Sequence, residues 1–189
     1  RHDSTYCEFS KRSGLVDFSE NIRRQLNDAD VVMLASRYKK TDLDIIEEII
    51  KRLKDIGKIP VIVGHTVELP TQGKLKLNIL DQHIKKTRQI PDDDELITLG
   101  KLAWRDGRDA ADPVNRTLRD LASKNAVEFL SRIALLCNLP EQSCTLLDPV
   151  SRAKIFTDYG HWSVQGYEFI GKRIVDLNWL EPLGISSAD

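Results

Sequence analysis

The longest apolar runs, Val31 to Ala35 and Ile59 to Val63, are far short of the ~20 residues that span a bilayer. Neither sign of charge dominates: 28 Lys and Arg stand against 29 Asp and Glu, a formal net charge of -1. A global basic field for gripping nucleic acid or an anionic membrane is therefore absent. Cysteine is scarce, and the odd set of Cys7, Cys137 and Cys144 permits one intrachain disulfide at most. No CxxC occurs and no Cys/His spacing suits zinc, so no metal site is expected. Internal repeats and low-complexity tracts are also missing. The opening residues do not read as a signal peptide. Arginine stands first, so the chain is expected to be a processed or excised piece of something longer.

What remains describes a globular domain. Hydrophobic residues make up 41% and charged residues 30% of 189 residues, which excludes wholesale disorder and suits a single domain. Cys137 and Cys144 flank a Pro-containing turn and can close it as a disulfide, which would point to an oxidising compartment; three free thiols are the alternative.

The apolar pattern is that of an α/β protein. Val31 to Ala35 reads as a buried strand. Thr41 to Ile56 reads as a helix capped by Thr41 or Asp42, with Ile45, Ile46, Ile49, Ile50 and Leu53 as its apolar stripe and Gly57 as its stop. Ile59 to Val63 is the second strand, and the three together form a βαβ unit. Residues 68–104 carry Pro70, Gly73 and Pro91 and predict an irregular excursion with one or two short helices, of the kind that forms lids or substrate walls. The acidic run Asp92 to Glu95 fits a solvated helix N-terminus. A helix is expected to start at Asp112 or Pro113 and run to Lys124. Ala126 to Leu130 is a third strand, and Ser163 to Leu177 a last helix. The whole predicts a three-layer α/β/α sandwich with a mostly parallel, flavodoxin-like sheet, whose chemistry belongs at the carboxyl ends of its strands.

One stretch carries chemistry. In Asp158-Tyr159-Gly160-His161-Trp162-Ser163 the acid and the imidazole lie three residues apart, just before a helix. In a turn, this spacing brings a carboxylate to the Nδ1 side of the ring and leaves Nε2 free as a general base. Ser163 can cap the helix, and Gly166 permits its close approach to a neighbour. A chance Asp and a structural His are the competing account.

The stretch resembles the DxxH block of SGNH (GDSL-type) hydrolases. Val31 to Tyr38 resembles the strand and loop of the family's third block, and Ile59 to Val63 the next strand. Asn115 to Ala122 resembles the helix before the last strand, and Val127 to Leu130 that strand. The chain looks most like the SGNH domain appended to membrane acyltransferases of the acyltransferase-3 family. There an LAxRW-like segment resembles Leu34 to Tyr38, and a Cys loop ahead of the DxxH block resembles Cys137 to Ser163.

The resemblance implies a serine esterase or O-acyltransferase acting on carbohydrate esters of surface polysaccharides. It would need no cofactor, and its partners would be an acylated carbohydrate or acyl donor and an upstream membrane acyltransferase domain. A periplasmic or other extracytoplasmic location is implied, with tethering to the inner membrane by a preceding region. Asp158 and His161 would be catalytic.

The chain departs from the family at the nucleophile. His2-Asp3-Ser4 is the near match to a Gly-Asp-Ser turn and lacks both its strand and its glycine. Ser4 is therefore a weak candidate, and the serine is expected upstream of Arg1. The third-block Asn, an oxyanion donor, is replaced by Ser36 and Arg37; Arg37 fits either a substrate or oxyanion contact or a surface salt bridge. Trp162 could shield the base or line an acyl pocket. His65 reads as loop packing or a substrate contact, His83 as exposed, and Trp104 and Trp179 as packing or sugar platforms. A non-catalytic SGNH-like domain that binds a glycan or a protein, and an unrelated α/β domain, are the rival readings.

Overall fold

The short apolar runs become a parallel sheet. In the computed structural model, which describes residues 20–38, 43–72 and 76–185, Val31–Ala35 (β1), Ile59–Val63 (β2) and Glu128–Leu130 (β5) lie in the order β1-β2-β5. Both pairings are parallel, with Leu34 beside Ile62 and Ile62 beside Phe129. Parallel strands need a crossover, and helix α2 (Leu43–Asp55) supplies the first. Its Ile46, Ile49, Ile50 and Leu53 are buried, as their spacing predicts. Gly57 takes φ +75° just past its end, a left-handed conformation that glycine adopts without cost. The candidate caps Thr41 and Asp42 lie outside the described residues.

Side chains alternate across the sheet. On one face, Val32, Leu34 and Ile62 meet α1 (Glu20–Asn27), α2 and α5 (Arg108–Lys124) through Leu26, Ile49, Ile50, Leu118 and Ala122. On the other face Val61 and Val63 are buried while Met33 remains 42% exposed. Among the described residues β1 and β5 are the edge strands of this sheet.

Residues 68–104 are more regular than their sequence suggests. Thr71–Gln72 (β3) and Leu77–Asn78 (β4) pair antiparallel, followed by α3 (Ile79–Thr87) and α4 (Asp93–Leu102). The acidic run starts α4: Asp92 caps it, in a reciprocal capping box with Glu95. Helix α5 starts earlier than expected. It follows α4 through one π-helical turn, Ala103–Gly107, and Pro113 lies inside it. Proline forfeits one backbone bond there without ending the helix.

The chain then forms a short α6 (Ile133–Leu136) and a hairpin of Cys137–Asn138 (β6) and Ser143–Cys144 (β7). Cys137 and Cys144 are disulfide-bonded and buried. The final helix, α7 (Val164–Asp176), has Ser163 as its N-cap. Gly166 lies so close to the preceding loop that a Cβ would stand 2.1 Å from the Ile155 carbonyl oxygen, so no side chain fits there. A second core surrounds these elements, with Leu80, Leu146, Ile155, Phe156, Phe169 and Ile170 at its heart.

Candidate active site

The turn between Phe156 and Ser163 is built from its own backbone. Asp158 Oδ1 accepts the N–H groups of Gly160 (2.9 Å) and His161 (2.8 Å). Its Oδ2 lies 2.7 Å from His161 Nδ1. Burial by itself would raise the Asp158 carboxyl, but the two backbone N–H groups and the imidazole outweigh it and hold it at about 2. It is therefore a carboxylate at any working pH. A carboxylate only accepts, so Nδ1 carries the proton and the Nε2 lone pair of a neutral ring points away. The imidazole is 75% exposed. Among the described residues its side-chain hydrogen-bond partner is Asp158.

This turn sits beside the carboxyl ends of β1 and β2. Arg37, two residues past β1, grips Glu68 with Nε and Nη2, each at 2.7 Å, and donates from Nη1 to the Tyr159 hydroxyl at 3.1 Å. The guanidinium also lies 5.3 Å from the Tyr159 ring centroid, and that ring stands edge-on to His161 at 6.2 Å. The Leu69 N–H donates to the Tyr159 carbonyl at 2.7 Å. Arg37 thus forms the salt bridge allowed by the sequence, and it ties the acid–base turn to the sheet. Ser36 is exposed and offers its carbonyl to Arg132.

The strand ends are braced against one another. Arg132 donates to the carbonyls of both Gly64 and Ser36. Asn115, fully buried on α5, accepts from the His65 N–H (2.6 Å) and donates to its carbonyl (3.0 Å). A side chain on Gly64 would meet the Phe129 ring at 2.6 Å and Asn115 Oδ1 at 2.9 Å. A cavity of about 390 Å³ opens here, with Arg37, His65, Thr66 and Glu68 on its polar side and Gly107, Ala110, Ala111 and Val114 on the other. Tyr38, also in its wall, is pushed up to about 12 by burial. Burial lowers His65, and Arg132 and Arg37 add to this against the pull of Glu68 and of the Ser36 backbone.

Other sequence candidates fall elsewhere. Trp162 is half-buried against the second core, edge-on to Tyr167 at 5.6 Å. Trp104 and Trp179 also pack there, and Trp179 Nε1 donates to the Ser131 carbonyl. His83 is not exposed as expected: its side chain is 17% accessible, with Nε2 3.4 Å from Glu95. Ser4 and Cys7 lie outside the described residues. No local sequence pattern marks Glu68 or Asn78 as a site residue. Asn115 had a signal, since it shares the buried face of Ala111, Leu118 and Ala122 and a polar residue on an apolar face needs a partner.

The model of a family described as "SGNH domain (fused to AT3 domains)" matches residues 5–176, most of the chain. No curated protein matches it.

Proposed function

The chain belongs to the SGNH-domain family, a hydrolase- and acyltransferase-like family, and on that premise we propose that it is a serine esterase or O-acyltransferase domain acting on carbohydrate esters. The observation that carries this reading is the 2.7 Å contact between Asp158 Oδ2 and His161 Nδ1, on an exposed imidazole whose Nε2 has no hydrogen-bond partner among the described residues.

In this mechanism His161 Nε2 takes the proton of a serine hydroxyl as its oxygen attacks the ester carbonyl. Asp158 holds the tautomer and stabilises the imidazolium. The tetrahedral intermediate collapses, the alcohol leaves with the proton from His161, and an acyl-serine remains. Water or a sugar hydroxyl, deprotonated by the same Nε2, then attacks the acyl-serine; the bond to the serine oxygen breaks, and that oxygen takes the proton back from His161. Arg37 keeps one N–H on each of Nη1 and Nη2 after its bonds to Glu68 and Tyr159, and these are the donors proposed for the oxyanion in place of an Asn.

The nucleophile is assigned to a serine outside the described residues. Among the described residues β1 is paired on one side only, and Met33 is exposed, which supports this. A further parallel strand on that edge would end beside Ser36 and Arg37, next to the acid–base turn. The description of the family as fused to AT3 domains points to an acyltransferase partner domain. The buried disulfide favours an oxidising, extracytoplasmic compartment.

With p-nitrophenyl acetate as acyl donor, the protein should release p-nitrophenolate and pass the acetyl group to water or to an added polysaccharide. Recovery of a sugar acetate would show the transferase, and free acetate alone the esterase. Failure of the folded protein, expressed from its complete gene, to release p-nitrophenolate above background would count against both.

A further inference from the structure

The segment leading into the acid–base turn is tied repeatedly to residues 69–93. Lys154 pairs with Asp81 on α3. Arg152 pairs with Asp93 on α4 at 2.6 Å and donates to the Pro91 carbonyl. Leu69 holds the Tyr159 carbonyl. At the centre of these ties is Asn78, which is 0% exposed. Its Oδ1 accepts the Asp81 N–H at 2.9 Å and so caps α3, while its Nδ2 donates to the Asp158 carbonyl at 2.8 Å.

A cap alone needs only an acceptor, and the Asp92 carboxylate serves in that way on α4. Caps are also commonly placed at the surface. Asn78 differs on both counts, being fully buried and using an acceptor and a donor on one rigid plane. A hydroxyl offers both from a single oxygen, whereas asparagine holds acceptor and donor on two separate atoms of one rigid group. We infer that Asn78 is a positioning residue for the Asp158–His161 pair, resting on the reading of that pair as the acid–base machinery. By fixing the Asp158 backbone against the first turn of α3, it fixes where the carboxylate meets Nδ1.

Asn78→Asp keeps the capping acceptor and, as the carboxylate, loses the donor; Asn78→Ser puts one hydroxyl oxygen in place of two separate amide atoms, so it can cap α3 but cannot stand at both the Oδ1 and Nδ2 positions; Asn78→Ala loses both. In the full chain, three quantities are to be measured for each variant: melting temperature, the rate of labelling by a fluorophosphonate, and the His161 tautomer by ¹⁵N NMR. The Ser variant is expected to melt close to the parent, to label between roughly ten- and a hundredfold more slowly, and to show a new Nε2-protonated population. Parent-like labelling and tautomer in the folded Ser or Asp variant would overturn the inference. So would losses that track melting temperature across all three variants while the tautomer stays unchanged. If the parent itself does not label, the catalytic reading fails, and the tautomer measurement still decides whether Asn78 positions the pair.

Discussion

His161→Ala should abolish esterase activity almost completely, lowering kcat/KM by roughly a thousandfold or more while leaving the fold intact. The large effect follows from the role, since a serine hydroxyl at neutral pH is a poor nucleophile until its proton has somewhere to go. A thousandfold corresponds to about 4 kcal/mol of transition-state stabilisation. The small structural effect follows from exposure: the ring is 75% accessible, and alanine there removes little buried surface. Asp158→Asn should also be impaired. An amide can still take the backbone N–H groups of Gly160 and His161, but it can turn its NH₂ toward Nδ1 and favour the tautomer with the proton on Nε2. Because Asp158 is held at about 2, its own protonation cannot cause any loss of activity seen between about pH 4 and 7. Its lowered value has a second consequence. The folded state prefers the carboxylate more than the unfolded chain does, so this contribution to stability is complete above about pH 4 and fades as pH falls toward 2.

The second large effect concerns stability. Reducing the Cys137–Cys144 bond, or replacing both cysteines with alanine, should lower the melting temperature by roughly 5–10 °C. The bond closes a short loop, with its cysteines seven positions apart. Chain-entropy arguments put such a closure at about 2.5 kcal/mol, and a domain of this size loses about 2–4 °C per kcal/mol. The hairpin is also packed tightly: a side chain on Gly100 of α4 would lie 2.5 Å from Ser143 Oγ and 2.6 Å from the Cys144 carbonyl oxygen. Loosening it should therefore loosen α4 as well. Thermal unfolding with and without reductant measures the effect, and an unchanged midpoint would mean that the hairpin is held by its neighbours alone.

The features legible in the sequence were the local ones. Val31 to Ala35, the stripe of α2 and Ile59 to Val63 each reveal their state within a few residues, and the βαβ unit follows from their order. The Asp158–His161 pair was legible for the same reason, because three residues of one turn make it. Two-residue strands such as Thr71–Gln72 leave no periodic trace. The π turn at Ala103–Gly107 hides within a helical pattern, and Pro113 reads as a helix start although it lies inside α5. The framework that locates the pair was hidden by distance: Arg37 reaches Glu68 across 31 positions and Tyr159 across 122. No local pattern marks such partners. The Glu68 carboxylate acquires its function only when two strand ends and a distant turn come together.

The central claim is that His161 serves a serine. The direct test is fluorophosphonate labelling of the protein expressed from its complete gene, with the modified peptide located by mass spectrometry and His161→Ala as control. One labelled serine is expected, outside residues 20–38, 43–72 and 76–185, with the label lost in His161→Ala. No label under conditions that modify a known serine esterase, or a label indifferent to His161→Ala, would contradict it and leave a domain that binds without catalysing.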